Sequence, residues 1–127
     1  MRPAARGGDT VIVLAMMVGG GLGAVTRFVL DALMRTRKLT TAIGPTAIIN
    51  ILGSLLIGLI AGWATTGSLD SNWNVIIATG FCGGFTTFST SMYETLFFGL
   101  TPRAVIYQAS TLAGSVVACL LGLALTL

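Results

Sequence analysis

Residues Gly80–Thr90 read GFCGGFTTFST, and they interrupt a run that is otherwise apolar enough to cross a bilayer. The adjacent glycines and the four hydroxyl residues of this stretch predict a break in a helix. Non-helical backbone at membrane depth is tolerated only where it is buried in protein or lines a watery cavity. The stretch therefore indicates an ion pathway or an ion-binding site inside a membrane protein.

The rest of the chain has the composition of a membrane protein. Of its 127 residues, 54% are hydrophobic and 9% are charged, and the mean hydropathy is +0.93. Soluble domains are about 25% charged, and a spanning helix needs roughly 20 mostly apolar residues. We therefore predict an all-α membrane protein with one integral-membrane domain over residues 1–127. Its four predicted transmembrane helices cover Val11–Leu33, Pro45–Ala64, Trp73–Leu100 and Arg103–Leu127.

The charges outside these spans give the chain only a weak orientation. Arg2 and Arg6 precede the first span, but Asp9 and the three later spans favour a membrane helix there over a signal peptide. Four spans place both termini on one side, and the opposite side carries Arg35, Arg37, Lys38 and Arg103. Four basic residues against two is a small bias under the positive-inside rule, so insertion in both orientations is allowed. The net charge of +3 predicts no nucleic-acid partner.

Catalytic sets are missing from the sequence. It contains no histidine, and Cys82 and Cys119 lie in apolar helices without the spacing of metal ligands. Gly19 and Gly23 lie in the middle of a span, where they predict close helix contact rather than the strand-to-helix turn of a dinucleotide site. We therefore predict a protein that is not an enzyme.

Polar residues recur every four positions in two spans, which places each set on one helix face. The second span has Thr46, Asn50, Ser54, Gly58 and Gly62. The fourth span has Tyr107, Thr111, Ser115 and Cys119. The glycines predict packing. A primary amide such as that of Asn50 is costly in a bilayer unless it is paired, so it is either interhelical glue or an ion ligand.

Phe88 directly follows the predicted break, and the positive edge of an aromatic ring can weakly favour an anion. Amide, hydroxyl and ring-edge donors then line the predicted path, with no lysine or arginine placed there by spacing. Conduction needs binding that is strong enough for entry and weak enough for release. These neutral donors suit a small, hard, hydrogen-bond-accepting anion, but the residues alone do not choose among such anions.

The motifs resemble those of the CrcB/Fluc family of fluoride ion channels. The resemblance rests on Gly80–Thr90, on Asn50 at the end of GPTAIIN (Gly44–Asn50), on Glu94 and on the spaced polar residues of the fourth span. It implies a passive, fluoride-selective channel that exports cytoplasmic fluoride across the bacterial cell membrane. It also implies four-helix subunits with a broken third helix, assembled as an antiparallel, dual-topology dimer with two pores.

The resemblance also implies roles for individual residues. Asn50 would donate a hydrogen bond to fluoride, and Phe88 would offer its ring edge. The polar track of the pore would consist of Thr46, Tyr107, Thr111 and Ser115. The backbone carbonyls of Gly83 and Thr86 would bind a structural sodium ion on the dimer axis.

The sequence departs from the family pattern at Ser91, where many members have a second pore phenylalanine. Two interpretations follow. Either Ser91 serves in the pore together with the neighbouring Met92, or the chain pairs with a paralogous subunit that supplies the phenylalanine.

The charged residues within the spans have structural and functional interpretations. Arg27, Asp31 and Arg35 are spaced by four and predict a ladder of ion pairs, with attraction of anions at the pore mouth as the alternative for Arg27. We interpret Glu94 as a vestibule or structural residue. The alternative function is a proton-coupled exporter of small anions with a similar four-helix dimer, for which Glu94 is the candidate carboxylate. A purely structural helix bundle is a further alternative.

Overall fold

The computed structural model of the chain describes residues 7–38, 44–97 and 99–127. The described residues form helices and short turns, without strands. Arg2 and Arg6, on which part of the predicted charge bias depends, lie outside them.

Four helical segments are long and apolar enough to cross a membrane, which confirms the predicted all-α membrane fold. The first two are α1 (Gly7–Thr36) and α2 (Pro45–Thr65). The third span covers Ser71–Phe97 and consists of several shorter elements. The fourth is α6 (Pro102–Thr126). The protein is therefore a multi-pass membrane protein.

Local sequence signals set the ends of the helices. The Asp70 side chain accepts a hydrogen bond of 2.8 Å from the Asn72 amide, so the third span begins two residues before the hydropathy-based start at Trp73. Thr101 Oγ1 accepts a bond of 3.1 Å from the Ala104 amide, and the first turn of α6 begins with proline, as predicted for this connection.

The third span is irregular along its length. It begins with α3 (Ser71–Asn74), continues as a π-helical segment (Val75–Cys82) and a single turn, α4 (Gly83–Phe85), and resumes as α5 (Phe88–Phe97). The break lies between α4 and α5, at Thr86 and Thr87, inside the stretch from which we predicted it. The π-helical segment was not predicted.

Glycines allow α2 and α6 to pack closely. A Cβ atom at Gly58 would contact the main-chain carbonyl of Cys119, and one at Gly62 would contact the side chain of Thr126. A Cβ atom at Gly122 would lie 2.5 Å from the Leu55 carbonyl oxygen. Gly58 and Gly62, the last two residues of the set spaced by four on the second span, therefore pack helices together, as predicted.

Helix α1 packs in the same way against the first half of the third span. A Cβ atom at Gly23 would contact the main chain of Phe81, and one at Gly84 would contact that of Gly20. A Cβ atom at Gly19 would lie 3.1 Å from the Ile76 carbonyl oxygen, which confirms the close contact predicted for Gly19 and Gly23. The first half of the third span is thereby fixed beside α1, and the break follows directly after it.

Candidate functional site

The helix break redirects two backbone amides. Thr86 has an extended conformation, with φ −83° and ψ 155°. The Thr87 amide donates to Asn50 Oδ1 at 2.8 Å, whereas in a continuous helix it would donate to the Gly83 carbonyl. The Thr90 amide donates to Thr87 Oγ1 at 3.3 Å, whereas a continuous helix would direct it at the Thr86 carbonyl. The carbonyls of Gly83 and Thr86 thus lose their usual helix donors.

Asn50 connects α2 to the break through both ends of its amide. Its Nδ2 donates to the Thr87 carbonyl at 2.9 Å, and its Oδ1 accepts from the Thr87 amide. The reciprocal pair fixes which amide atom is nitrogen and which is oxygen. A primary amide has two N–H donors, so one hydrogen of Asn50 remains for another acceptor. The two interpretations of Asn50, as interhelical glue and as an ion ligand, are therefore compatible.

A groove of about 550 Å³ opens beside the break, between α2, α5 and α6. Most of its lining is apolar, and polar groups reach it at a few positions. The residues predicted to contact fluoride that lie in this groove are Asn50, Phe88, Ser91, Thr111 and Ser115. Phe88 is 75% exposed, so the chain leaves its ring uncovered. The groove is open along one side and does not form a closed pore.

The hydroxyl groups on α6 differ in whether they keep a hydrogen-bond donor for the groove. Thr111 Oγ1 donates to the Tyr107 carbonyl at 3.0 Å, so its hydrogen is used inside its own helix. The Ser115 hydroxyl makes no hydrogen bond to the described residues and keeps its donor. Tyr107 lies outside the two cavities described here, and its hydroxyl accepts a bond of 2.7 Å from the Gly44 amide. The predicted polar track is therefore not continuous within one subunit.

Ser91 and Gln108 form a second reciprocal pair in the groove. Ser91 Oγ donates to Gln108 Oε1 at 2.6 Å, and Gln108 Nε2 donates to the Ser91 carbonyl at 2.8 Å. Ser91 is buried, with 6% of its surface exposed. Gln108 was missed in the sequence, although it is a primary amide in an apolar span and satisfies the same criterion as Asn50.

A smaller cavity of about 220 Å³ lies on the other side of Thr87, which lines both cavities. Thr46, a predicted residue of the polar track, lines this smaller cavity together with Arg27 and Asp31. The Nε atom of Arg27 is buried and has no hydrogen-bond partner among the described residues. The structure thus places a guanidinium group beside the break, which the spacing of the sequence did not predict.

The ladder predicted from Arg27, Asp31 and Arg35 is only half correct. Arg35 Nε pairs with Asp31 Oδ2 at 2.9 Å, but Arg27 pairs with no acidic side chain among the described residues. Arg35 Nη2 instead makes its second ion pair with Glu94 Oε1 at 2.9 Å. The same Glu94 oxygen accepts a bond of 2.9 Å from Thr46 Oγ1. Glu94 therefore ties α5 to both α1 and α2.

Main-chain oxygens are the candidate ligands for a cation. The described residues contain no group of three or more His, Cys, Asp or Glu side chains that could hold a metal ion. Carbonyls released where a membrane helix is unwound are known ligands for sodium ions. A Cβ atom at Gly83 would meet nothing within 4 Å, so the described residues leave this position uncovered. The carbonyls of Gly83 and Thr86, which lose their helix donors at the break, are the main-chain oxygens predicted as sodium ligands.

Comparison with known proteins identifies relatives over most of the chain. A fluoride-specific ion channel, FluC 2 of Cutibacterium acnes, is 42% identical over 118 residues, which cover 89% of this chain and 95% of that protein. FluC of Serratia proteamaculans is 39% identical over 113 residues, which cover 86% and 88%. FluC 1 of Leifsonia xyli is 47% identical over 85 residues, which cover 66% of this chain and 61% of that protein.

A family model gives the same assignment. The model described as "CrcB-like protein, Camphor Resistance (CrcB)" matches residues 14–125, which include the second and third spans with the helix break and most of the first and fourth spans. Because the match covers nearly the whole chain, this chain belongs to the CrcB family.

Proposed function

We propose that the chain forms a fluoride-selective channel that exports cytoplasmic fluoride passively across the bacterial cell membrane. Fluoride is the anion of a weak acid. The neutral acid crosses lipid from an acidic exterior and dissociates in the cytoplasm. A channel then lets the trapped anion leave down its gradient. The resulting function is protection against fluoride toxicity, and no chemical reaction is catalysed.

The observation that carries this proposal is the lining of the larger groove. The Asn50 amide retains one N–H donor beside the break, and the Ser115 hydroxyl retains its hydrogen. Neutral donors in a restricted path can replace the water around an anion without holding it as tightly as a full charge would. Fluoride is the smallest halide and the strongest hydrogen-bond acceptor among them, so it gains most from such donors. The names of the relatives support the same anion.

The geometry of Glu94 favours passive flow over proton coupling. A coupled exporter needs a carboxylate that takes up and releases a proton during transport. Glu94 instead accepts an ion pair from Arg35 and a hydrogen bond from Thr46 through the same oxygen. Those two contacts hold the Glu94 side chain between α1 and α2, which gives it a structural role.

Two subunits in opposite orientations would complete the pores. In one subunit the groove is open and Phe88 is 75% exposed, so a second subunit is needed to enclose the anion. The small charge bias across the membrane supports opposite insertion of the two chains. The partner would be a second copy of the chain or a paralogous subunit, and each pore would be lined by both chains.

A sodium ion would act structurally at the centre of such a dimer. The main-chain oxygens of Gly83 and Thr86 from both subunits would hold it, because the break removes their helix donors. The cation would be bound by carbonyl oxygens that would otherwise be buried without a hydrogen-bond partner, which is costly. This arrangement would also hold Thr87 and Phe88 in place beside the pores.

Fluoride efflux from liposomes tests the function. The chain, purified alone, is reconstituted into vesicles loaded with potassium fluoride or potassium chloride, and efflux is started with a potassium ionophore. We expect rapid fluoride efflux, little chloride efflux and no dependence on an imposed proton gradient, with protein-free vesicles as the control. Comparable fluxes of chloride and fluoride, or flux only with a proton gradient, would contradict the proposal.

Cation exchange tests the sodium site separately. Purification in sodium is compared with purification in a much larger monovalent cation, N-methylglucamine, at equal ionic strength. We expect the larger cation to weaken dimer assembly or slow fluoride efflux. A high-resolution map in which the Gly83 and Thr86 carbonyls accept bonds from protein donors, with no density between the subunits, would refute the site.

A further inference from the structure

We propose that Gln108 is a second anion-contacting amide of the pore, and that it stands in for the missing second aromatic ring. The inference rests on the proposed function and adds a specificity-determining residue to the same groove. Its partner, Ser91, occupies the position of that ring in the sequence.

The contacts of Gln108 fix the orientation of its amide. Oε1 accepts from Ser91 Oγ at 2.6 Å and Nε2 donates to the Ser91 carbonyl at 2.8 Å. Exchanging nitrogen and oxygen would place two acceptors against each other at that carbonyl and lose its bond. One Nε2 hydrogen remains, because a primary amide has two N–H donors. Gln108 lines the larger groove, where that donor is available to a passing anion.

A purely structural role explains these contacts less well. The Ser91 carbonyl already accepts a bond of 2.9 Å from Thr95 Oγ1, so this main-chain oxygen does not need Gln108 to be satisfied. A leucine at position 108 would fit the apolar span without the cost of burying an amide. The pair with Ser91 positions the Gln108 amide more than it stabilises α5.

Asn50 offers a direct comparison within the same groove. Each amide makes two hydrogen bonds to one residue of the third span, Asn50 to Thr87 and Gln108 to Ser91. Thr87 and Ser91 are four residues apart, which is about one helical turn. The two amides approach the groove from α2 and α6, and each retains one N–H donor. Their arrangement would pass an anion from one neutral donor to the next.

This assignment favours a second copy of the chain as the partner in the dimer. A ring edge is a weak donor, and an amide N–H directed at the same level is a stronger one. Two copies would then provide one Gln108 amide for each second ring that the family pattern has and this chain lacks. A paralogous subunit would not be required to supply a phenylalanine.

The test compares four proteins in the fluoride efflux assay. Gln108→Leu removes the donor at similar volume, and Ser110→Leu, at an exposed position outside the groove, is the matched control. The double variant Ser91→Phe/Gln108→Ala replaces the amide pair with an aromatic ring. Elution as a dimer in detergent establishes that each protein is folded.

We expect Gln108→Leu to slow fluoride efflux by about 10-fold to 100-fold, the range for one hydrogen bond to a charged group. Ser110→Leu should retain the wild-type rate, and the double variant should recover fluoride efflux and keep selectivity against chloride. Undiminished or faster efflux from Gln108→Leu would overturn the inference, since the pair would then be packing or an obstruction. A folded double variant without efflux would also overturn it.

The efflux assay distinguishes failure of the proposed function from failure of the role of Gln108. If the wild-type chain carries no fluoride, or carries chloride equally well, the proposed function fails. If the wild-type chain is fluoride-selective and Gln108→Leu matches it, only the role of Gln108 fails. Should Gln108→Leu not fold, the double variant decides between the outcomes.

Discussion

The two halves of the third span are held in place by different kinds of contact. Residues 76–85 of the first half pack backbone to backbone against α1, where glycines bring the two helices together. The second half, α5, is fixed by side-chain hydrogen bonds and ion pairs to α1, α2 and α6. It also leaves large side chains uncovered, with Phe88 75% exposed and Phe97 69% exposed.

The difference separates the half of the third span that supports the structure from the half that lines the groove. Close glycine packing leaves no room for an ion, so the first half holds the break at a fixed place. Polar side chains around α5 keep hydrogen-bond donors at membrane depth, and the groove opens on that side. We therefore expect substitutions in the first half to damage assembly, and those in the second half to alter transport while the protein stays folded.

The largest expected effect on stability comes from Gly84→Ala. The added Cβ would contact the Gly20 main chain, which cannot move without shifting α1. Overpacking of this kind typically costs about 1–3 kcal/mol and sometimes more, so we expect a loss of about 3 kcal/mol in the free energy of unfolding. Titration with a denaturing detergent, followed by circular dichroism, measures it.

Gly21→Ala is the matched control for that measurement. A Cβ at Gly21 would meet nothing within 4 Å, and alanine is the better helix former. Equal stability of the two variants would show that the first half is not held by close backbone packing, and the contrast between the halves would be lost.

Asn50→Asp should give the largest effect on transport. A carboxylate would repel fluoride with roughly 4 kcal/mol at about 4 Å and an effective dielectric constant of 20. It would also lose the hydrogen bond that Nδ2 donates to the Thr87 carbonyl. We expect fluoride efflux to be abolished while the dimer persists.

Asn72→Asp makes the same chemical change at an exposed position near the start of the third span and should leave efflux unchanged. If Asn50→Asp retains wild-type efflux, Asn50 is only interhelical glue. If the Asn50→Asp variant fails to assemble, the second half of the third span is needed for assembly in the same way as the first half.

Hydropathy and glycine content were sufficient to predict the four spans, the break and the close packing at Gly19, Gly23, Gly58 and Gly62. These features depend on composition and local spacing, which the sequence shows directly. The π-helical segment Val75–Cys82 could not be predicted, because an apolar run of this kind has the same composition in an α-helix. Predicted span ends differed where a side chain caps the helix, as Asp70 does.

Predictions for the site were less complete, because partners across helices are not visible in the spacing of one helix. Tyr107 shares the spacing of Thr111, yet its hydroxyl bonds to Gly44 and it lies outside the groove. Arg27 shares the spacing of Arg35, yet only Arg35 finds acidic partners. Gln108 was overlooked because it does not belong to the stripe of hydroxyl residues.

Glu94→Gln tests a smaller effect, on stability. Glu94 and Arg35 have side chains that are 28% and 52% exposed, and exposed ion pairs contribute about 1 kcal/mol or less. We therefore expect a small loss of stability and fluoride efflux within a few-fold of the wild type, with or without a proton gradient. Asp31→Asn removes the other partner of Arg35 and is the matched control. Proton-coupled efflux that disappears only in Glu94→Gln would instead support the exporter alternative.

The smallest effect is expected from Thr95→Val, which removes one side-chain bond from the second half of the third span. Thr95 Oγ1 donates to the Ser91 carbonyl, and Gln108 Nε2 donates to the same oxygen, so the carbonyl stays satisfied when the hydroxyl is lost. Hydrogen bonds in membrane proteins contribute about 0.6 kcal/mol on average, and we expect a change no larger than that. Thr26→Val on α1 removes a bond of the same type, from Thr26 Oγ1 to the Leu22 carbonyl at 2.7 Å, and should change stability equally little. A loss well above that of Thr26→Val would mean that the Gln108 bond does not satisfy the Ser91 carbonyl by itself. The polar contacts of α5 would then act as one cooperative support, and the boundary between the supporting and the conducting half would have to move beyond residue 95.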